Sequence, residues 1–242
     1  DHVLLMYSGG LDTSVMLTWI QDQYEAKVST FTLDVGQREA HLDKVKNKAL
    51  DLGAENAFVV DAKEKFANEY IDISIKANGL YQDSYPLSTA IARPLMSELA
   101  VDYANSAGIS TIAHGSTGKG NDQVRFESSI RALDDSITVL APIREWDMSR
   151  EKELAYVKEK GIPIPVSSDS PYSIDENLWG RSVECGILED PAEEPPKDVH
   201  ELVSPVDETP AEPEYIELKF ARGVPTHLNG KEMGLVDLIK EL

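Results

Sequence analysis

A short segment near the N-terminus carries the residues best suited to bind phosphate. Ser8–Ser14 read Ser-Gly-Gly-Leu-Asp-Thr-Ser between an apolar stretch and a helix-like one. Two adjacent glycines let the backbone turn tightly and approach a ligand, and the free N–H groups of the following helix favour an anion. Three hydroxyls add hydrogen-bond donors. The spacing matches neither G-x-x-x-x-G-K-[ST] nor G-x-G-x-x-G, and the alternative is an ordinary strand–helix turn capped by an Asp, Thr or Ser side chain.

A second polar segment, residues 114–127, reads HGSTGKGNDQVRFE and contains three glycines within six positions. Asn121 and Arg125 are four residues apart, so both can project from one face of a helix that begins here. The guanidinium of Arg125 can bind a carboxylate through two parallel hydrogen bonds. The pattern predicts recognition of a small polar substrate. The alternative is a capped loop with Asp122 as N-cap and Arg125 in solvent.

Strand-like and helix-like patterns alternate along the chain from Val3 to Lys160, and the two polar segments lie within this region. The predicted strands are short, apolar and rich in β-branched residues: Val3–Tyr7, Lys27–Leu33, Ala57–Val60, Thr111–His114 and Ile137–Leu140. The predicted helices have apolar residues at spacings of three and four: Asp12–Asp22, Glu39–Leu52, Ala62–Ala77, Thr89–Ala107, Gln123–Leu133 and Ser149–Lys160. This alternation predicts an α/β fold, a parallel, Rossmann-like sheet flanked by helices. Ligands of such sheets bind beyond the carboxyl ends of the strands, where both polar segments lie.

The C-terminal third has a different composition. Residues 189–217 contain eleven acidic residues, one lysine and six of the 13 prolines, so they hold a net charge of −10 out of −20. We expect an extended, solvated connection; a specific acidic binding segment is the alternative. A strand (EYIELKF), a hairpin turning at Asn229–Gly230 and a helix (LVDLIKEL) are predicted after it. We therefore expect a nucleotide-binding domain at 1–165 and part of a second α+β domain at 166–242.

Composition excludes several classes of protein. A net charge of −20 and a pI near 4.5 argue against neutralising the phosphates of a nucleic acid. There is no run of 18 apolar residues, so no membrane-spanning helix is expected. Cys185 is the single cysteine, which excludes an internal disulfide and fits a reducing, cytoplasmic compartment. The five histidines have no metal-ligand spacing, and no structural metal is expected.

Several long strings resemble the argininosuccinate synthetase family of the N-type ATP pyrophosphatases. They are SGGLDTS at 8–14, YPLSTAIARPL at 85–95, HGSTGKGNDQVRFE at 114–127, APIREW at 141–146 and PYSIDENLWGRSVECGILE at 171–189. The resemblance implies an adenine nucleotide alpha-hydrolase-like fold. It also implies an ATP-dependent ligase of arginine biosynthesis that joins citrulline and aspartate through a citrullyl-adenylate, releasing argininosuccinate, AMP and pyrophosphate.

The resemblance also implies roles for individual residues. It assigns ATP to Met6, Tyr7, Ser8, Gly9, Gly10, Leu11, Asp12, Thr13, Ser14, Leu33 and Gly115. It assigns aspartate to Thr117, Asn121 and Asp122. It assigns citrulline to Tyr85, Asn121, Arg125, Ser173 and Ser182. Mg²⁺ accompanies the ATP, with Asp12 near it. The catalytic residues stay unknown. No covalent enzyme intermediate is expected, because such an enzyme works mainly by aligning charged reactants.

The chain departs from the family in length. Family members are substantially longer, so we expect that the chain is C-terminally truncated and lacks further citrulline contacts and a helix used in tetramer assembly. A homotetramer is expected for the full-length family and stays open for this chain. Two alternatives remain for the function. One is a fragment that binds ATP and amino acids without turnover. The other is a different enzyme with this loop that adenylates a tRNA base or a sulfur-transfer target, which the acidic charge and single cysteine disfavour.

Overall fold

A computed structural model of the 242-residue chain describes residues 1–37, 42–116, 118, 120–146, 150–162, 172–199 and 202–242. The chain forms two compact units. The first combines Asp1–Phe66 with Ala90–Pro165, and the second combines Ala67–Thr89 with Val166–Leu242. Residues 67–89, which the sequence placed in the nucleotide-binding domain, are therefore part of the second unit. None of the described helices is long and apolar enough to cross a membrane.

The first unit contains five parallel strands with helices between them. The strands are β1 (His2–Met6), β2 (Lys27–Asp34), β3 (Asn56–Asp61), β4 (Thr111–Ala113) and β5 (Thr138–Leu140). The helices are α1 (Leu11–Tyr24), α2 (Leu42–Asp51), α3 (Lys63–Phe66), most of α5 (Ser88–Ala107), α6 (Asp122–Leu133), α7 (Pro142–Trp146) and α8 (Arg150–Lys160). All five predicted strands are confirmed, and the predicted parallel sheet flanked by helices is the observed fold.

The strand order β3-β2-β1-β4-β5 places the first strand at the centre of the sheet. The register pairs Leu4 with Ser29 of β2 and with Ile112 of β4. The chain runs outward from β1 to β3 on one side and from β4 to β5 on the other. Because the winding reverses between β1 and β4, the loops after these two strands flank the crevice where ligands of open α/β sheets bind.

Both faces of the sheet are covered, which explains why the central strand β1 is apolar from Val3 to Met6 and why β2 is buried from Val28 to Asp34. On one face, Val3 and Leu5 pack against α1 and α2 in a buried cluster that includes Leu17 and Ala49. On the opposite face, the Phe31 ring lies 5.5 Å from the Tyr103 ring of α5, and the Phe58 ring lies 4.6 Å from it. The sheet is thus held rigidly between helices, and its loops are free to form a site.

The predicted helix over 62–77 is observed as three consecutive helical segments. They are α3, a π-helical stretch at Ala67–Ile71 and α4 (Asp72–Lys76). The other predicted helices agree with the structure to within a few residues at each end of the described ranges. Helix α5 continues through Pro94. The predicted helix starts at Glu39 and Ser149 lie outside the described residues.

Among the described residues, the second unit contains two small antiparallel sheets and a helix, in addition to the π-helical stretch and α4. The elements are β6 (Ser173–Asn177), β7 (Gly180–Glu184), β8 (Leu218–Ala221), β9 (Val224–Leu228), β10 (Lys231–Glu232) and α9 (Leu235–Glu241). Asn229 and Gly230 have φ of 49° and 80°. Positive φ at both central residues is typical of a type I′ turn, so the predicted Asn-Gly hairpin between β9 and β10 is confirmed.

The acidic connection has little regular structure where it is described. It contains short 3-10 turns at Lys197–Val199 and Val206–Glu208. Most of its side chains are exposed, including Val206 and Tyr215. A segment with this charge and proline content buries too little apolar surface to form a core of its own.

Candidate functional site

The loop between β1 and α1 adopts a conformation that its glycines permit. Gly9 has φ of +77°, in the left-handed region that a side chain disfavours. A Cβ added to Gly9 would lie 2.7 Å from Cγ2 of Val45 on α2. Helix α1 begins directly after Gly10, so its first N–H groups point out of the loop. The loop is therefore tightly packed from behind and ends at the positive end of a helix.

Hydrogen bonds within the loop hold it in place. The Ser14 hydroxyl donates to the Gly10 carbonyl at 2.7 Å, and the Tyr7 hydroxyl lies 3.0 Å from Ser14 Oγ, to which it donates. Burial raises the pKa of Tyr7 above its usual value, so the phenol keeps its proton. Ser14 is fully buried. Its hydroxyl, which the sequence offered as a donor to a ligand, is used inside the protein.

The part of the loop that reaches solvent is its tip. Ser8 and Gly10 are exposed, whereas Met6 and Tyr7 are buried. Ser8 Oγ lies 3.2 Å from Thr13 Oγ1 and accepts a long bond of 3.3 Å from the Gly10 N–H. The tip thus groups two hydroxyls and an N–H at the start of a helix, the kind of donor set that accepts phosphate oxygens.

The end of β2 lies beside this loop. The Thr32 hydroxyl donates to the Tyr7 carbonyl at 2.7 Å, which ties the ends of β1 and β2 together. Leu33 is buried, and its carbonyl accepts a bond from Gln37 Nε2 at 2.6 Å. Asp34 is held by an ion pair with Lys63. Leu33 thus stands at the carboxyl edge of the sheet, next to the strand that carries the loop.

The loop after β4 packs directly on the start of α1. A Cβ added to Gly115 would lie 2.5 Å from Cε of Met16 and 3.1 Å from Cγ2 of Thr13. A side chain at position 115 would therefore require the flexible end of Met16 and the methyl group of Thr13 to shift. Gly115 and the loop at 8–14 are therefore brought together, as the ATP assignments require.

His114 is buried beside this contact. The Ser116 N–H donates to its Nδ1 at 3.3 Å, so the neutral ring carries its proton on Nε2. Nε2 faces Glu127 Oε1 at 3.6 Å, and Arg144 Nη1 lies 2.7 Å from the same oxygen. Burial lowers the pKa of His114, while the Glu127 carboxylate opposes that shift. The ring is thus held neutral at the base of the loop.

The start of α6 carries an ion-pair cluster. Asp122 accepts a bond from Arg125 Nη1 on Oδ1 at 2.7 Å and one from Arg93 Nε on Oδ2 at 2.8 Å. Arg93, on α5, also lies 5.6 Å from the Phe126 ring centroid. Asp122 is the first residue of α6 and Asn121 occupies the N-cap position. The alternative that made Asp122 an N-cap with Arg125 in solvent is therefore wrong.

Asn121 and Arg125 line a depression between α5 and α6. Its volume is about 410 Å³, and its other lining residues are Pro94, Val124, Ser128 and Ser129. This volume lies within the usual range for small-molecule sites, roughly 300–1,000 Å³. One end of the depression is therefore polar and charged, and the rest is apolar or neutral.

In the second unit, Ser173 and Ser182 lie on one face of a two-stranded ribbon. Asp175 pairs directly with Ser182, and Ser173 precedes Asp175 by two positions, so all three share that face. At the ribbon's end, Asn177 Nδ2 donates to the Ser88 carbonyl at 2.8 Å. Tyr85, three residues before Ser88, is partly exposed. The strand register thus places the two serines diagonally across the ribbon on the same face, because Ser173 pairs with Glu184 and Ser182 pairs with Asp175.

The residues assigned to citrulline are divided between the units. Asn121 and Arg125 belong to the first unit, and Tyr85, Ser173 and Ser182 belong to the second. Thr117, which the resemblance assigns to aspartate, lies outside the described residues. Across the described ranges, no group of three or more His, Cys, Asp or Glu side chains could hold a metal ion.

Three residues at the site were not singled out from the sequence. Arg93 lies within a string that resembles the family, but only the fold brings it to Asp122, 29 positions away. His114 begins the polar segment, yet its burial is a tertiary property. Lys48 donates to the Gly9 carbonyl at 2.7 Å from α2. No local pattern marks that lysine among its neighbours Lys44 and Lys46.

Comparisons with known proteins show which family the chain resembles. The model of the arginosuccinate synthase N-terminal HUP domain matches residues 2–163, and that of the arginosuccinate synthase C-terminal domain matches residues 172–242. The argininosuccinate synthase of Oceanobacillus iheyensis is 54% identical over 243 residues, which cover 100% of this chain and 58% of that protein. That of Dictyoglomus thermophilum is 51% identical over 242 residues, covering 100% and 60% respectively.

A third relative, the argininosuccinate synthase of a Geobacillus species, is 53% identical over 241 residues, or 99% of this chain and 59% of that protein. The chain thus spans about three fifths of the length of the relatives it matches. Both family models match in the order expected, and together they cover nearly every residue. The chain therefore belongs to the argininosuccinate synthase family.

Proposed function

We propose that this chain carries the ATP-binding part and a share of the amino-acid-binding part of a ligase that joins citrulline to aspartate. The observation that carries the proposal is the contact between the two loops of the first unit. A Cβ added to Gly115 would lie 2.5 Å from Cε of Met16 and 3.1 Å from Cγ2 of Thr13, so the two segments are in close contact. That contact puts the loop at 8–14 and the polar segment after β4 on the same edge of the sheet.

The loop at 8–14 is the proposed site for the pyrophosphate part of ATP. Its tip offers the N–H of Gly10 and the hydroxyls of Ser8 and Thr13 at the start of a 14-residue helix. The partial positive charge of the helix N-terminus favours the negative phosphates. Leu33 lies at the carboxyl end of β2, where an apolar side chain can pack on the adenine.

The polar segment after β4 is the proposed site for amino-acid groups. Arg125 matches a carboxylate through its forked guanidinium, and Asp122 matches an ammonium group. Asn121 can both donate to and accept from a neutral polar group such as a ureido group. In the second unit, Ser173, Ser182 and Tyr85 supply neutral hydroxyls, which suit the same group.

The chemistry proposed on this site has two steps. The ureido oxygen of citrulline attacks the α-phosphorus of ATP, the bond to the bridging oxygen breaks, and pyrophosphate leaves. The amine of aspartate then attacks the activated carbon, AMP leaves, and a proton is released. The protein's contribution is to hold charged reactants in line and to offset their repulsion.

Mg²⁺ is the cation that such a reaction needs, since it neutralises phosphate charge when bound. Mg²⁺ usually takes one or two protein carboxylates together with substrate phosphates. Asp12, in the first turn of α1, supplies a carboxylate beside the proposed phosphate loop. The residues present therefore fit a metal that arrives with the nucleotide.

The test is to incubate the chain with Mg-ATP, citrulline and aspartate, omitting each in turn, and to measure pyrophosphate release. We expect release that requires citrulline, with argininosuccinate formed only when aspartate is present. Gly115→Ala serves as the matched variant, because it disturbs the contact with Thr13 and Met16 and removes none of the proposed ligand side chains. We expect it to release less pyrophosphate than the wild type. Release without citrulline would overturn the amino-acid assignment.

A second candidate function is binding of ATP and amino acids without turnover. It is favoured by the length comparison, because the matched relatives extend well beyond the part that this chain covers. ATP bound with no pyrophosphate released would support it. A homotetramer, a cytoplasmic location and the absence of nucleic-acid and membrane partners remain predictions.

A further inference from the structure

The backbone of the phosphate loop is held from behind by helix α2. Val45 packs against Gly9, and Lys48, three positions further along the helix, donates from Nζ to the Gly9 carbonyl at 2.7 Å. Residues three apart lie on one face of a helix. A single face of α2 therefore makes both an apolar contact and a charged hydrogen bond with the same loop residue.

Holding a carbonyl also sets the direction of the next N–H group. The peptide unit is planar and trans, so its C=O and N–H point in opposite directions. With the Gly9 oxygen directed at Lys48, the N–H of Gly10 points away from α2. That N–H has a contact of 3.3 Å with Ser8 Oγ, longer than a typical bond of about 3 Å. It is therefore available to a stronger acceptor.

The charge on Lys48 strengthens this arrangement. A hydrogen bond from an ammonium group polarises the peptide whose carbonyl accepts it, which makes the N–H of that peptide a better donor. Lys48 is half-buried, and burial lowers its pKa. Lys46, on the same helix, is exposed. The protein thus places one lysine of α2 against the loop and leaves another in solvent.

We infer that Lys48 is a positioning residue for the phosphate loop, which orients the Gly9–Gly10 peptide so that its N–H meets the pyrophosphate part of the nucleotide. The inference rests on the proposed function of that loop. It assigns to Lys48 an effect on ligands that carry the pyrophosphate group. The affinity for a ligand without phosphate should not depend on Lys48, because such a ligand has no phosphate oxygen to accept a bond from this N–H.

The experiment compares the wild-type chain with Lys48→Met, Lys48→Arg and the matched control Lys46→Met. Titration calorimetry gives the Kd of ATP and of inorganic pyrophosphate, and an NMR titration gives that of adenosine. We expect Lys48→Met to weaken ATP and pyrophosphate about tenfold, the usual effect of losing a charged hydrogen bond, with adenosine unchanged. Lys48→Arg should restore most of the affinity, and Lys46→Met should match the wild type.

Equal weakening of adenosine, or pyrophosphate affinity unchanged in Lys48→Met, would overturn the inference. Thermal unfolding shows whether the variants fold; if Lys48→Met does not, Lys48→Gln gives the same comparison with a polar side chain. A wild-type chain that binds neither ATP nor pyrophosphate would overturn the proposed function itself. The two failures are therefore distinguishable, because the second is seen before any variant is made.

Discussion

Arg125 donates from Nη1 to Oδ1 of Asp122 at 2.7 Å, so the cation and the anion proposed to bind different substrates neutralise each other. Arg93 binds the other carboxylate oxygen at 2.8 Å. Asp122 is therefore shared by two guanidiniums. An amino-acid carboxylate would compete with Asp122 for the forked guanidinium of Arg125.

Asp122→Asn should destabilise the chain more than Arg125→Met does. The first change leaves Arg93 and Arg125 facing each other without their shared anion, whereas the second leaves Asp122 paired with Arg93. We expect a loss of about 1–2 kcal/mol in the free energy of unfolding for Asp122→Asn, because the groups are partly exposed. Urea unfolding measures both variants. A smaller loss for Asp122→Asn than for Arg125→Met would contradict the shared-anion arrangement.

Citrulline should raise the affinity of the chain for aspartate. If Arg125 turns to the carboxylate of citrulline, Oδ1 of Asp122 is released and can accept the amine of aspartate. We expect a several-fold decrease in the Kd of aspartate when citrulline is present, a coupling that is reciprocal by thermodynamic necessity. Calorimetric titration with aspartate, with and without citrulline, measures this effect. In Arg125→Met the coupling should disappear. Coupling that persists in this variant would show that it does not depend on the release of Asp122 by Arg125.

Gly115→Ala should weaken both stability and ATP binding. The added methyl group would meet Met16 Cε at 2.5 Å and Thr13 Cγ2 at 3.1 Å. Overpacking of this kind costs about 1–3 kcal/mol. Met16→Leu in the same chain removes the nearer atom and should recover part of the loss. The measurements are urea unfolding and the Kd of ATP.

Gly118→Ala is the control for that variant. It lies in the same loop, and a Cβ there would make an ordinary contact of 3.5 Å with Arg144 Cγ. We expect its stability to stay within about 0.5 kcal/mol of the wild type. If Gly115→Ala and Gly118→Ala lose the same free energy of unfolding, the close approach of the loop to α1 is not the cause of the loss.

The unfolding free energy should fall as the pH drops below the usual pKa of histidine. Burial lowers the pKa of His114 in the folded chain, so below about pH 6.5 the unfolded chain binds a proton that the folded chain does not. The stabilisation is fully present above that pH and is lost as the pH falls through the folded pKa. Urea unfolding between about pH 5 and pH 8 measures the slope, and His114→Gln should flatten it. An unchanged slope in that variant would assign the pH dependence to other groups.

Local patterns were sufficient for the parallel sheet. Strand β1 is an apolar run because it is buried on both faces, and β2 combines apolar residues with buried Ser and Thr. Short runs rich in apolar and β-branched residues can be recognised without knowing their neighbours. The Asn229–Gly230 turn was predictable for a similar reason, since two residues with positive φ favour this pair of residue types. The β6–β7 ribbon was missed, because its sequence, SIDEN followed by GRSVE, is largely polar and gives no clear alternation.

The sequence by itself determined the fold class, the family and the position of both polar loops after strands, because these depend on residue types at short spacing. The tertiary structure alone decided which distant groups meet: Arg93 with Asp122, Lys48 with Gly9, and Gly115 with Met16. It also decided that Ser14 is buried and used within the loop. The contact of Gly115 with Met16 joins residues about a hundred positions apart, and it exists only once the strand order places β4 next to β1. The strand order cannot be predicted from the spacing of residues along the chain.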